Sequence, residues 1–132
     1  MHSKNIIKTV IGLLFLVSFI SCSKDKDGNG NTNSRVVKYE ITGNFTGKLT
    51  VIYNDNVNGN TVVNNVSLPW SKEITYPGNV TGIGIGAQSS TSGTAGQTAT
   101  VKIYSGSNVV KTGSATAGSL GELALPTIAF TF

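Results

Sequence analysis

The sequence predicts an all-β protein, an immunoglobulin-like sandwich of two antiparallel sheets built from seven to eight short strands. Three observations lead there. Apolar and polar residues alternate with a period of two in several short runs. Those runs are rich in Val, Ile, Thr and Tyr, which fit a pleated, half-buried surface. Gly, Asn and Pro punctuate them at the regular spacing of a sandwich. Residues 35–132 are expected to form one domain, long enough for one modest core and no second.

Before that domain comes "MHSKNIIKTVIGLLFLVSFIS", residues 1–21, in the layout of a secretory signal. Lys4 and Lys8 form a positive n-region. Ile11 to Ile20 form an apolar stretch, and small Ser21 precedes Cys22. The apolar stretch is short of the roughly 20 residues that a permanent membrane helix needs. Cys22 is the only cysteine, so no intramolecular disulfide can form. "FISC" resembles a bacterial lipobox of the relaxed form found in Bacteroidota lipoproteins, with Phe19 where Leu is commonest. The resemblance implies cleavage before Cys22 and a lipid on its thiol. Several acyl chains on one residue hold firmly, since each buried methylene adds about 0.8 kcal/mol.

Residues 22–34, "CSKDKDGNGNTNS", invite two readings. Asp25, Asp27, Asn29 and Gly30 match the first half of a calcium loop, with oxygen ligands at alternate positions and a glycine for the turn. The twelfth position, where Glu closes the coordination shell, is Val36, and Lys24 and Lys26 lie among the acids. The expected role is therefore a flexible tether with an r.m.s. reach of about 20 Å, with no metal site. Acids directly after the lipidated cysteine resemble Bacteroidota export signals to the outer face of the outer membrane, here broken by lysines. The expected location is a lipid-anchored place at the outer membrane, on the cell surface or the periplasmic face.

The strands follow. "RVVKYEITG" sets Val37, Tyr39 and Ile41 against Lys38, Glu40 and Thr42. "KLTVIYN" points Leu49, Val51 and Tyr53 inward, and Asn58-Gly59 turns the chain into "TVVNNVSL". Pro69 ends that run. "WSKEITY" begins the next, which closes at Pro77-Gly78. "VTGIGIGAQ" alternates Ile83, Ile85 and Ala87 with Gly82, Gly84 and Gly86. A phosphate loop would space its glycines G-x-G-x-x-G and open a helix. Here they recur at every second residue and a polar loop follows. The reading is a strand bare on one face, which something approaches closely, be it a sheet, a loop or a ligand. "SSTSGTAGQT" is expected as an exposed, mobile loop. "ATVKIYSGSNVVKTG" forms a hairpin around Ser105 to Asn108, and "ELALPTIAFTF" puts Ile128, Phe130 and Phe132 on one face. A terminal Phe also ends outer-membrane barrels, but the ten-residue strands of a barrel are too few here. Trp70 and the inward tyrosines are expected to fill the core.

Five pieces in order and spacing resemble the MmpS family of small mycobacterial membrane proteins: Val37–Gly43, Ile52–Asn54, Leu68–Ile74, Ile85–Gln88 and Thr100–Lys111. "LPWS" is the most specific of them. The resemblance implies an N-terminally anchored periplasmic β-sandwich that assists a large lipid or siderophore exporter. Two departures stand against it. A family cysteine pair would begin at Val101 and has no later member here, and Cys22 with its lipid replaces a transmembrane helix. Fold carries over more readily than partnership.

Composition narrows function. Loss of the leader removes two of ten basic residues and leaves eight against six acids, a net charge of +2 without a basic stripe. Nucleic-acid binding needs such a clustered footprint. His2 is the only histidine and lies in the leader, which removes the His-dependent nucleophile sets and the usual zinc sites. Glu40, Asp55, Glu73 and Glu122 sit among polar neighbours, as on solvated strand faces. The expectation is a protein with no catalytic residues and no cofactor. Its partners would be the membrane, through lipid on Cys22, and an envelope transport or assembly complex. The alternative is a surface module for a glycan or host protein, with Trp70 and Tyr76 as ligand contacts and Tyr53 and Tyr104 as further aromatics. At strand positions, however, such side chains are more often core.

Overall fold

Eight strands form: β1 (Val36–Gly43), β2 (Leu49–Asp55), β3 (Gly59–Val66), β4 (Trp70–Thr75), β5 (Gly82–Ser89), β6 (Thr98–Ser105), β7 (Asn108–Thr116) and β8 (Ala124–Thr131). They come from a computed structural model that describes residues 33–132. The leader, Cys22 and the acidic half-motif of the tether lie outside the described residues. The strands make two antiparallel sheets of four, ordered β4-β1-β6-β7 and β3-β2-β5-β8. The second order matches the C′-C-F-G sheet of immunoglobulin domains, and β1·β4 matches their B·E pair. Beside β1, where those domains place an N-terminal A strand, this chain instead places the β6–β7 hairpin.

The period-two runs bury the faces they were expected to bury. Val37, Tyr39 and Ile41 of β1 are fully buried, as are Leu49 and Val51 of β2, and Tyr53 nearly so. They meet Ile83 and Ile85 of β5 and Val101 and Ile103 of β6 in one core. Each such side chain contributes about 1.5–3 kcal/mol by leaving water. The alternation also sets the register, because a one-residue slip would turn every one of these groups out.

Three bulges break the ladders, and none was visible as a period. On β3 the register shifts between Leu49 and Val51 of its partner, and Asn65 takes a positive φ of 57°. Asparagine tolerates that region because its short side chain bonds locally. On β8 the shift lies opposite Ile85 to Ala87, so that buried Leu125 and half-buried Ile128 both face inward although three residues apart. A bulge places two residues opposite one and so resets the phase. A third bulge lies on β7, between Val109 and Lys111, and all three fall on edge strands, where irregularity discourages pairing with foreign chains. In the β2–β3 turn only Gly59 takes positive φ, at 72°, so Asn58-Gly59 does not share the task as its pairing suggested.

The small-residue loop is exposed, as expected, but it is strapped down. Ser90 N–H donates to Lys48 O (2.8 Å), Gly93 N–H to Gly121 O (2.8 Å) and Gly96 N–H to Ala117 O (3.0 Å). Gln97 Oε1 accepts from Thr46 N–H (3.0 Å) and Thr94 N–H (2.9 Å). The loop thereby closes one end of the sandwich over buried Phe45. A Cβ at Gly93 would lie 2.5 Å from the Phe45 ring, so glycine is required there.

Tyr39 and Tyr76 tie the sheets together. Tyr39 Oη donates to Tyr76 Oη at 2.8 Å, and Tyr76 Oη donates in turn to the backbone carbonyl of Asn54 on β2, from which Tyr39 Oη lies 3.4 Å. Tyr39 sits on β1 and Tyr76 just beyond β4, so the bond crosses from one sheet to the other. Burial, foremost, raises both tyrosines above their ordinary value of 10.0. The unfolded chain therefore loses these protons first as pH rises. Stability should stay level up to about pH 10 and fall above it, because the unfolded state alone gains the ionised form. Urea midpoints between pH 8 and 11.5 measure this, and Tyr39→Phe should flatten the alkaline limb while costing about 0.5–1.5 kcal/mol at neutral pH.

Candidate functional site

The two outer faces of the sandwich are built from different chemistry. On the β4-β1-β6-β7 sheet, Lys38 stands opposite Glu73 and Tyr104, and Glu40 opposite Ser71 and Lys102. Lys38 Nζ donates to Glu40 Oε2 at 2.9 Å and lies 4.1 Å over the Tyr104 ring. Tyr104 Oη donates to Glu40 Oε1 at 2.8 Å. The Lys38 bond and then the Tyr104 bond hold Glu40 below the usual carboxylate value. Here is an ordinary solvated, cross-paired strand face, in which opposite charges stand across from one another on neighbouring strands.

The outer face of the β3-β2-β5-β8 sheet has no such charges. Gly82, Gly84 and Gly86 leave β5 bare along its length. β2 raises Thr50, Ile52 and Asn54 on one side, and β8 raises Thr127, Ala129 and Thr131 on the other. The result is a trough of about 380 Å³ lined by Thr50, Ile52, Asn54, Asn60, Gln88 and Thr127 above the glycine floor. Its β2–β3 wall is ordered by hydrogen bonds. Asn54 Nδ2 donates to Asn60 Oδ1 (2.6 Å) and Thr50 Oγ1 to Asn64 Oδ1 (3.0 Å). Ile52 and Val62, paired across the strands, remain 44% and 53% exposed and form an apolar shoulder.

Why the floor is glycine separates into three answers. None of Gly82, Gly84 and Gly86 has positive φ, so the backbone does not demand it. At Gly86 a Cβ would lie 2.7 Å from Thr127 Oγ1, which the β8 bulge carries across the strand. At Gly84 it would lie 3.2 Å from Ile128 O. At Gly82 it would meet nothing nearer than Phe130 O at 3.7 Å, an ordinary contact. The close approach anticipated from the sequence is thus partly made by β8 itself, and partly unexplained by anything within the sandwich. Glycine in a strand costs roughly 0.5–1 kcal/mol relative to Ala, and Asn54, Asn60 and Asn64 are likewise poor strand formers. Six such residues on one face favour surface shape over stability.

The aromatic residues named from the sequence are elsewhere. Tyr76 is 2% exposed with its hydroxyl engaged by Tyr39 and Asn54, which corrects its assignment as a ligand contact. Burial of a large ring against Phe132, centroids 5.9 Å apart, fixes it in the core. Trp70 is half-buried at the start of edge strand β4, its ring 5.8 Å from that of Tyr53. It plugs the flank between the sheets rather than the core centre, and it lines no part of the trough. Tyr53 is buried and Tyr104 belongs to the charged face. Sequence reasoning marked the glycine alternation but not the asparagines, whose shared face depends on the β3 pairing. The carboxylates have internal work: Asp55 Oδ1 accepts from Val57 N–H (2.9 Å) and Glu122 Oε2 from Leu120 N–H (3.0 Å).

The chain matches no family model and no curated protein.

Replacing Gly82, on the bare face of β5 beyond the trough, by Val should raise stability by about 0.5–1 kcal/mol, since a β-branched residue suits a strand with free space. Gly86→Val should lower it by about 1–3 kcal/mol through overpacking against Thr127. Urea unfolding of the two variants checks both signs.

Proposed function

We propose that this chain is a non-catalytic, lipid-anchored recognition domain of a bacterial envelope, held by Cys22 and working through the neutral trough along β5. The observation that carries the reading is the open, uncharged trough over Gly84 and Gly86, beyond which Gly82 keeps β5 bare although neither backbone conformation nor crowding requires glycine there. The carboxylates support the non-catalytic part. A general acid needs a raised value, whereas Glu40 is held low by Lys38 and Tyr104. Among the described residues no three His, Cys, Asp or Glu side chains cluster to hold a metal.

In this reading the polar residues 22–34 are the leash between lipid and sandwich. Arg35 begins the body: its guanidinium bonds Val80 O and stacks 4.2 Å from the centre of Phe132. The MmpS resemblance points to an envelope transport or assembly complex as partner, and the alternative is a surface ligand. The lining of the trough, amides and hydroxyls set among apolar surface and without a charge, favours the ligand.

Fractionation and photo-crosslinking test the two halves. The full chain should sediment with membranes and take up labelled palmitate, and Cys22→Ala should do neither. A benzophenone residue at Val62, beside the trough, should capture a cell-surface component that the same probe at Thr112, on the opposite face, does not. Membrane retention of Cys22→Ala would refute the anchor, and equal capture from both faces would refute the site.

A further inference from the structure

The trough also carries information about what fills it. We infer that it binds a neutral polysaccharide chain laid along β5, a conclusion that rests on the recognition reading above. The first argument is charge. No Asp, Glu, Lys or Arg lines the trough, so an ionic ligand would lose hydration without gaining a counter-charge. The opposite face, with Lys38, Glu40, Glu73 and Lys102, shows what this fold presents when charge is wanted.

The second argument is hydrogen bonding. Asn60 Nδ2, the Gln88 amide and the Thr127 hydroxyl make no hydrogen bond to another described residue. An amide offers donors and an acceptor together, and a hydroxyl does both. Sugar hydroxyls have the same dual character. The groups stand at both ends and on both walls of the trough, so they would read a chain rather than a single point.

Dimensions agree. Gly84 to Gln88 spans about 13 Å along the strand, and the side chains of β2 and β8 stand roughly 10 Å apart across β5. That is long enough for a short oligosaccharide and about one sugar ring wide. The bare glycine floor and the Ile52–Val62 shoulder offer apolar surface to the C–H faces of the rings. Trp70, Tyr76 and Tyr104 lie outside the trough, and Tyr53, which lines it, packs its ring against Tyr39 and Trp70 in the core, so the site relies on shape and hydrogen bonds instead of stacking.

Other occupants fit less well. An extended peptide joins a sheet through an unpaired edge, whereas β5 is paired on both sides, with β2 and β8. A second copy would cover a face of on the order of 500 Å² by strand spacing and length, short of the roughly 800 Å² per partner in stable complexes.

The test is affinity electrophoresis of the full chain in detergent through gels containing dextran, laminarin, mannan or galactomannan, with alginate as an anionic control. At least one neutral polymer should retard the protein, and raising salt should not relieve it. The exposed double variant Asn60→Leu/Gln88→Leu should weaken retardation at least tenfold, with Lys102→Ala on the opposite face unchanged. A urea midpoint within error of the parent shows that the double variant is folded. Retardation by alginate alone, or unchanged retardation of the double variant, overturns the inference. No retardation by any neutral polymer, with capture from Val62 intact, overturns the glycan and leaves the recognition face standing.

Discussion

Two tyrosine hydroxyls in relay to one backbone carbonyl give this sandwich its directional link between sheets. Burial of Val37, Tyr39 and Ile41 against Leu49, Val51 and Ile85 provides most of the stabilisation, but apolar contact is non-directional. It would tolerate some sliding of one sheet over the other. A relay in which Tyr39 donates to Tyr76 and Tyr76 to the Asn54 carbonyl does not, because hydrogen bonds weaken steeply away from their preferred geometry. Left unpaired, either buried hydroxyl would cost its desolvation. The carbonyl belongs to Asn54, whose side chain forms part of the trough wall. Core and site therefore meet in one residue, with the backbone held from inside and the amide presented outside.

The contrast between the two outer faces follows from what each strand can spare. β1 and β6 are the inner strands of their sheet and carry Lys38, Glu40, Lys102 and Tyr104 outward, cross-paired and compatible with strand geometry. β2 and β5 are the inner strands of the other sheet and carry Ile52, asparagine and three glycines outward. Local preference is violated on one side only. Violations gathered on one surface are characteristic of sites where shape has been favoured over stability. The β8 bulge belongs to the same arrangement, since it brings Thr127 over Gly86 and completes the second wall.

Several features of the site have no local signature. The asparagines of β2 and β3 are six to ten residues apart, and only the hairpin register puts them side by side. The loop from Ser90 to Gln97 has the composition of a free segment. Its restraint comes from Lys48, Ala117 and Gly121, partners distant in the chain. Trp70 and Tyr76 both looked apolar enough for the core and aromatic enough for a sugar. An edge position left the first half-exposed, and a hydroxyl within reach of Asn54 drew the second inside.

The sequence by itself determined the strands and, for β1, β2, β5 and the end of β8, which side faces inward, because period two is a local property written into consecutive residues. It also marked β5 as bare on one face, since glycine at every second position admits no other reading in a strand. Strand order, the phase changes at the bulges and the pairing of Asn54 with Asn60 were decided only by the tertiary structure. So was the outcome that β5 lies between two walls rather than at an edge. Each of these depends on which distant strand lies alongside, and that choice is made by the packing of the whole core.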